Sequence, residues 1–108
     1  MLDNVRITAL DNGARVITAP QPDAESVSLG IWVGVGGRHE TPAVAGASHF
    51  IEHMLFKGTR RRSAREISQA IEGRGGYLNA YTQEDCTCYY ARIPHERLAE
   101  AFDVLADM

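Results

Sequence analysis

Residues 47–56 read ASHFIEHMLF, a run that is apolar apart from Ser48, two histidines four apart and a glutamate directly before the second. Each buried imidazole or carboxylate loses water that it must replace with a partner. Three such groups in one apolar run are either a surface accident or await a charged occupant between them. The proline at Pro42, the small residues after it and the dense apolar run fit a helix from about Ala45 to Lys57. Phe56 and Lys57 make its last turn, and Gly58 caps it.

Outward from that helix the pattern alternates between the two common periods. On the N-terminal side, Val5–Leu10 and Arg15–Ala19 flank Asp11-Asn12-Gly13, a turn signal that predicts a hairpin. A polar loop with Pro20 and Pro22 leads to Ser26–Val35, read as a long and largely buried strand ending at Gly36-Gly37. On the C-terminal side, Ser63-Ala64-Arg65-Glu66 reads as a capping box, with Ile67, Ala70 and Ile71 as the apolar stripe of a second helix. Gly73, Gly75 and Gly76 break that helix, and strands follow at Tyr77–Thr82 and Thr87–Ile93. Pro94 is expected to open a last helix with Leu98, Ala101, Phe102 and Leu105 on its inner face. Strands first and helices packed on one side predict an α+β fold with a mainly antiparallel sheet.

At 108 residues the chain fits one small domain or a part of one. Its Lys+Arg count of 11 is below its Asp+Glu count of 14, which argues against a nucleic-acid binder. The basic knot of Lys57, Arg60, Arg61 and Arg62 is read as a solvated loop. No apolar run approaches a membrane span, and MLDNVRITAL lacks the features of a secretory leader. Cytoplasmic residence is the expectation. Cys86 and Cys88 have neither redox nor disulfide-framework spacing; on a strand they would share one face as reduced filler. The last helical pattern is still running at Met108, so residues 1–108 are read as the N-terminal part of a truncated domain.

On a helix, His49 and His53 lie about 40° apart around the axis and about one turn apart along it. Their rings can converge on one point, which suits a tetrahedral zinc ion. Glu52 lies about 60° to the other side of His49, so the three share an arc of about 100°. A carboxylate there can reach a water beside the metal without ligating the metal itself. That is what a general base requires, next to an ion that lowers the water's pKa. The competing account is a pair of exposed histidines on an ordinary helix.

The H-x-x-E-H spacing is the inverted zinc motif of the inverzincins. Its surroundings, GASHFIEHMLFKGT at 46–59, then GGYLNAYT at 75–82 and TCYYAR at 87–92, closely resemble the insulinase/pitrilysin-type zinc metallopeptidases. The likeness is greatest to their processing-peptidase branch, and it runs from NGARVITAP at 12–20 to the final helix. It implies a zinc-dependent metalloendopeptidase with His49 and His53 as zinc ligands and Glu52 as the base. It also implies that Leu78-Asn79-Ala80-Tyr81 is the edge strand that reads a peptide backbone, with Asn79 and Ala80 as substrate-binding positions. Read from the residues alone, Asn79 could instead be a turn or bulge residue after Gly75-Gly76. Asp85 stands where many relatives carry Glu.

In the family the third zinc ligand is a glutamate well downstream. Glu66, Glu72, Glu84, Glu96 and Glu100 are all too near the motif to match it, so the ligand is expected beyond Met108. Family members also work with a second homologous domain or subunit that closes over a peptide substrate. Residues 1–108 alone are thus expected to be a poor peptidase, open to self-association through uncovered apolar surface. The alternative function is a non-catalytic scaffold of the processing-peptidase type, in which the zinc motif is usually degraded.

Overall fold

Asn12 and Gly13 do what the sequence predicts. Gly13 takes φ 89°, and the Asn12 side chain accepts from the Ala14 N–H at 2.9 Å. This turn joins β1 (Arg6–Ala9) to β2 (Arg15–Thr18) as an antiparallel pair, with Ile7 opposite Ile17. The hairpin forms a sheet of its own and both strands are exposed along their length. The computed structural model describes residues 4–108; residues 1–3, the start of the segment inspected for a leader, lie outside it.

The main sheet has three antiparallel strands in the order β3-β5-β4, formed by β3 (Ser26–Val33), β4 (Tyr77–Thr82) and β5 (Thr87–Pro94). Three helices accompany it: α1 (Ala47–Leu55), α2 (Ala64–Ile71) and α3 (Leu98–Asp107). The fold is α+β, as expected. Ile67 and Ile71 of α2 and Ala101, Val104 and Leu105 of α3 pack on Leu78, Tyr89, Ala91 and Ile93 of the sheet. Strand alternation puts the β4 and β5 members of that set on one face.

Several expectations need correction. β3 stops at Val33, because the Val35 N–H turns back to the Val33 carbonyl at 2.8 Å and Val33–Thr87 is the last ladder pair. It is half-buried, not largely buried: Leu29 and Ile31 meet the core, while Trp32 on the other face is 63% exposed. No second layer covers that face among the described residues. Trp32 lies over it instead, with its indole N–H donating to the Tyr81 hydroxyl at 3.1 Å.

Pro94 ends β5 and also opens the helical segment, as expected: it caps a 3-10 turn, His95–Arg97, that runs directly into α3. The inner stripe of α3 is Ala101, Val104 and Leu105, whereas Leu98 and Phe102 face out. Cys86 sits in the turn before β5, so only Cys88 is a strand residue, buried and free. The Ser63 hydroxyl caps α2 by accepting from the Glu66 N–H at 3.1 Å, and Ile67 and Ile71 are buried as the stripe predicts. Of the basic knot, Lys57, Arg60 and Arg61 are exposed, as a solvated loop requires, whereas Arg62 is half-buried. Arg62 pairs with Asp103 (2.6 Å) and Asp107 (2.9 Å), Arg61 pairs with Asp103, and the Thr59 hydroxyl donates to Asp107. Those bonds fasten the α1–α2 connection to the end of α3.

Candidate active site

The chain enters α1 through Gly46, whose φ of 88° is a left-handed conformation that costs a β-carbon-bearing residue strain. This starts the helix at Ala47, two residues later than the apolar pattern suggests. The orphan N–H groups there are satisfied by Glu40. Its carboxylate accepts from the Gly46 N–H at 2.8 Å and from the Ser48 N–H at 2.6 Å. The bond from the Ser48 backbone, then that residue's side chain, then the Gly46 backbone hold the Glu40 carboxyl below its ordinary pKa. The other end tightens into 3-10 form, with the Phe56 and Lys57 N–H groups bonding to His53 and Met54 carbonyls.

On this helix the two histidines converge. Their Nε2 atoms stand 2.9 Å apart and their ring centroids 4.6 Å apart, edge to face. Two imidazole nitrogens on a tetrahedral zinc, each at about 2.05 Å, would be roughly 3.3 Å apart. The observed pair is within a few tenths of an ångström of that spacing. Ligand atoms of His49, Glu52 and His53 all lie within 4.8 Å of one another. The donor set is one that zinc takes.

Burial distributes the three differently from the apolar-run reading. Both imidazoles are exposed, and Glu52, at 9% exposure, is the buried residue of α1. The apolar residues Phe50, Ile51 and Met54 face outward instead, Phe50 at 68%. Glu52 meets the cost of burial through a partner on β4: the Thr82 hydroxyl donates to its Oε2 at 2.6 Å. Burial, and then the negative charge of Glu52, push the nearby Tyr89 phenol up.

β4 pairs with β5 alone, so among the described residues its other edge is free. Between that edge and α1 lies an open cleft of about 400 Å³, lined by His49, Glu52, Ala80, Tyr81 and Thr82 among others. Ala80 thus lines one cleft with His49 and Glu52. Asn79 sits in regular strand register opposite Tyr90, which rules out a turn or bulge there. Its side chain stays on its own strand, donating to the Tyr77 hydroxyl (2.7 Å) and accepting from the Ala80 N–H (2.8 Å). Asp85 pairs with Arg38 at 2.7 Å on the surface.

Two residues of the site escape the sequence reading. Thr82 was within reach, since strand alternation puts it on the face of Leu78 and Ala80. Glu40 carries no such signal, because its carboxylate acts on amides six and eight residues later through a loop.

Residues 15–108 match the family description Insulinase (Peptidase family M16). The chain belongs to the insulinase family. It is 50% identical over 97 residues, 90% of its length, to an uncharacterized zinc protease of Bacillus subtilis, covering 24% of that protein. It is 50% identical over 107 residues, 99% of its length, to an uncharacterized zinc protease of Streptomyces coelicolor, covering 23% of that protein. A probable mitochondrial-processing peptidase subunit beta of Arabidopsis thaliana is 45% identical over 103 residues, 95% of this chain and 19% of that one. This insulinase-family chain therefore spans about a quarter of the length of its bacterial relatives or less.

Proposed function

We propose that this chain carries the zinc- and base-bearing part of a zinc-dependent metalloendopeptidase that hydrolyses extended peptides. The convergence of the His49 and His53 Nε2 atoms, with Glu52 beside them, supports this reading above any other observation. His49 and His53 hold the metal. Zinc, when bound there, supplies Lewis acidity that brings the pKa of water toward neutrality and polarises a carbonyl.

The remaining work falls to the chain's own groups. A peptide adds to the free edge of β4 by main-chain hydrogen bonds, which ask little of its sequence. The Ala80 N–H is one donor of that edge, and the Asn79 carboxamide turns from it to the incoming backbone. The peptide then lies along the cleft with a carbonyl next to the histidines. Glu52 takes the proton of the attacking water through the carboxylate oxygen that Thr82 leaves free, and can pass it to the departing amine. A second homologous domain or subunit closes over the peptide and excludes water.

An intact His49-x-x-Glu52-His53 set favours the enzyme over a scaffold of the same fold. The test is metal analysis and peptide hydrolysis by the full-length protein before and after chelation. About one zinc per motif, with hydrolysis lost to chelator and restored by zinc, is the expected result. A zinc-free protein that still hydrolyses would overturn the reading.

A further inference from the structure

Glu52 has two fates open to it. Its carboxylate lies within 4.8 Å of both histidine nitrogens, close enough to join them as a third ligand. As a ligand it would hold the metal more tightly but could no longer remove a proton. We infer that Thr82 is a positioning residue that fixes Glu52 as the base by keeping its carboxylate out of the ligand set. This rests on the proposed peptidase reading and goes beyond it.

Thr82 is well placed for such a task. Its hydroxyl donates to Glu52 Oε2 at 2.6 Å, a short charge-assisted bond to a buried carboxylate. The residue itself is held by the sheet. It forms the last β4–β5 rung with Thr87, and the next residue, Gln83, donates its N–H to the Cys86 carbonyl at 2.8 Å. Thr87 is tied in turn to the Val35 carbonyl by its hydroxyl at 2.8 Å. The bond therefore runs from a rigid strand to a side chain of α1, and it restrains one carboxylate oxygen while leaving the other free. Because Thr82 closes the same strand that receives the peptide, the base and the substrate backbone are set from one element.

The experiment compares Thr82→Val, which keeps the branched shape, with Thr82→Ser, which keeps the hydroxyl. Two readouts are taken on the full-length protein: zinc affinity by chelator competition, and kcat and KM on an extended peptide. Thr82→Val is expected to bind zinc about tenfold more tightly, on the scale of partner effects around metal ligands. Its kcat is expected to fall about 10- to 100-fold with KM nearly unchanged, as a displaced base demands. Thr82→Ser should track the wild type in both. Adding Glu52→Gln to Thr82→Val should abolish the gain in affinity. Unchanged zinc affinity and kcat in Thr82→Val, or equal losses in Val and Ser, would overturn the inference. A wild type that does not hydrolyse peptides would instead defeat the peptidase reading, and the zinc titration would still decide the role of Thr82.

Discussion

Across one turn of α1 the Nε2 atoms of His49 and His53 face each other at 2.9 Å, both open to solvent. One turn of helix thus brings two candidate metal ligands together. His49→Ala and His53→Ala should each weaken zinc binding at least 10- to 100-fold, since they remove ligands and not merely supporting partners. Chelator competition reads this, and circular dichroism should show the fold unchanged. Metal binding at wild-type strength in either variant would place the site elsewhere.

Glu40 caps the helix that carries the two histidines, so its charge should matter to the fold. Its folded pKa is depressed from 4.5. Its stabilisation is therefore complete above the unfolded value and is lost as pH falls through the lower folded one. Glu40→Ala should melt at a lower temperature than the wild type at pH 7. The gap should shrink below about pH 4. A gap independent of pH would mean that the carboxylate charge is not what caps α1.

The fold was legible wherever local chemistry and burial agreed. Asn12-Gly13 marks its turn, and Ser63 with Ile67 and Ile71 marks α2, because cap and stripe lie within one helix. The histidine convergence was legible for the same reason. Legibility ended where a side chain answers to a distant partner. Arg62 reads as part of a basic loop until Asp103 and Asp107 of α3 arrive beside it. Trp32 reads as part of a largely buried strand until β3 is seen to have a face with no covering layer among the described residues. Leu98 and Phe102 fit the helical period, yet Val104 takes the inner position, because the direction of α3 is set by the sheet and not by its own pattern.

The core itself gives a simple stability test. Ile71 is fully buried between α2 and the sheet. Ile71→Ala should cost about 2–5 kcal/mol, the usual range for such a truncation. Denaturant unfolding measures it; a cost under about 1 kcal/mol would mean that this core is loosely packed.

Residues 1–108 as an isolated chain should be a weak peptidase. Catalytic zinc sites generally use three protein ligands plus water, and under the roles proposed for His49, Glu52 and His53 the helix would supply two. Phe50, Ile51, Met54 and Phe102 add uncovered apolar surface, so the isolated chain should also self-associate as its concentration rises. Assays with added zinc beside a polypeptide of the relatives' length, with light scattering on each, test both points. Equal rates would show that the two histidines and Glu52 suffice.

The most direct test of the account is Glu52→Gln in the zinc-loaded full-length protein, assayed on an extended peptide. Glutamine keeps the shape and can still accept from Thr82, but it cannot take a proton. Zinc content should be unchanged and kcat reduced by about 10²- to 10⁴-fold, the contribution of a general base. Near-normal turnover with zinc retained would contradict it, because the proton would then be leaving through some other group.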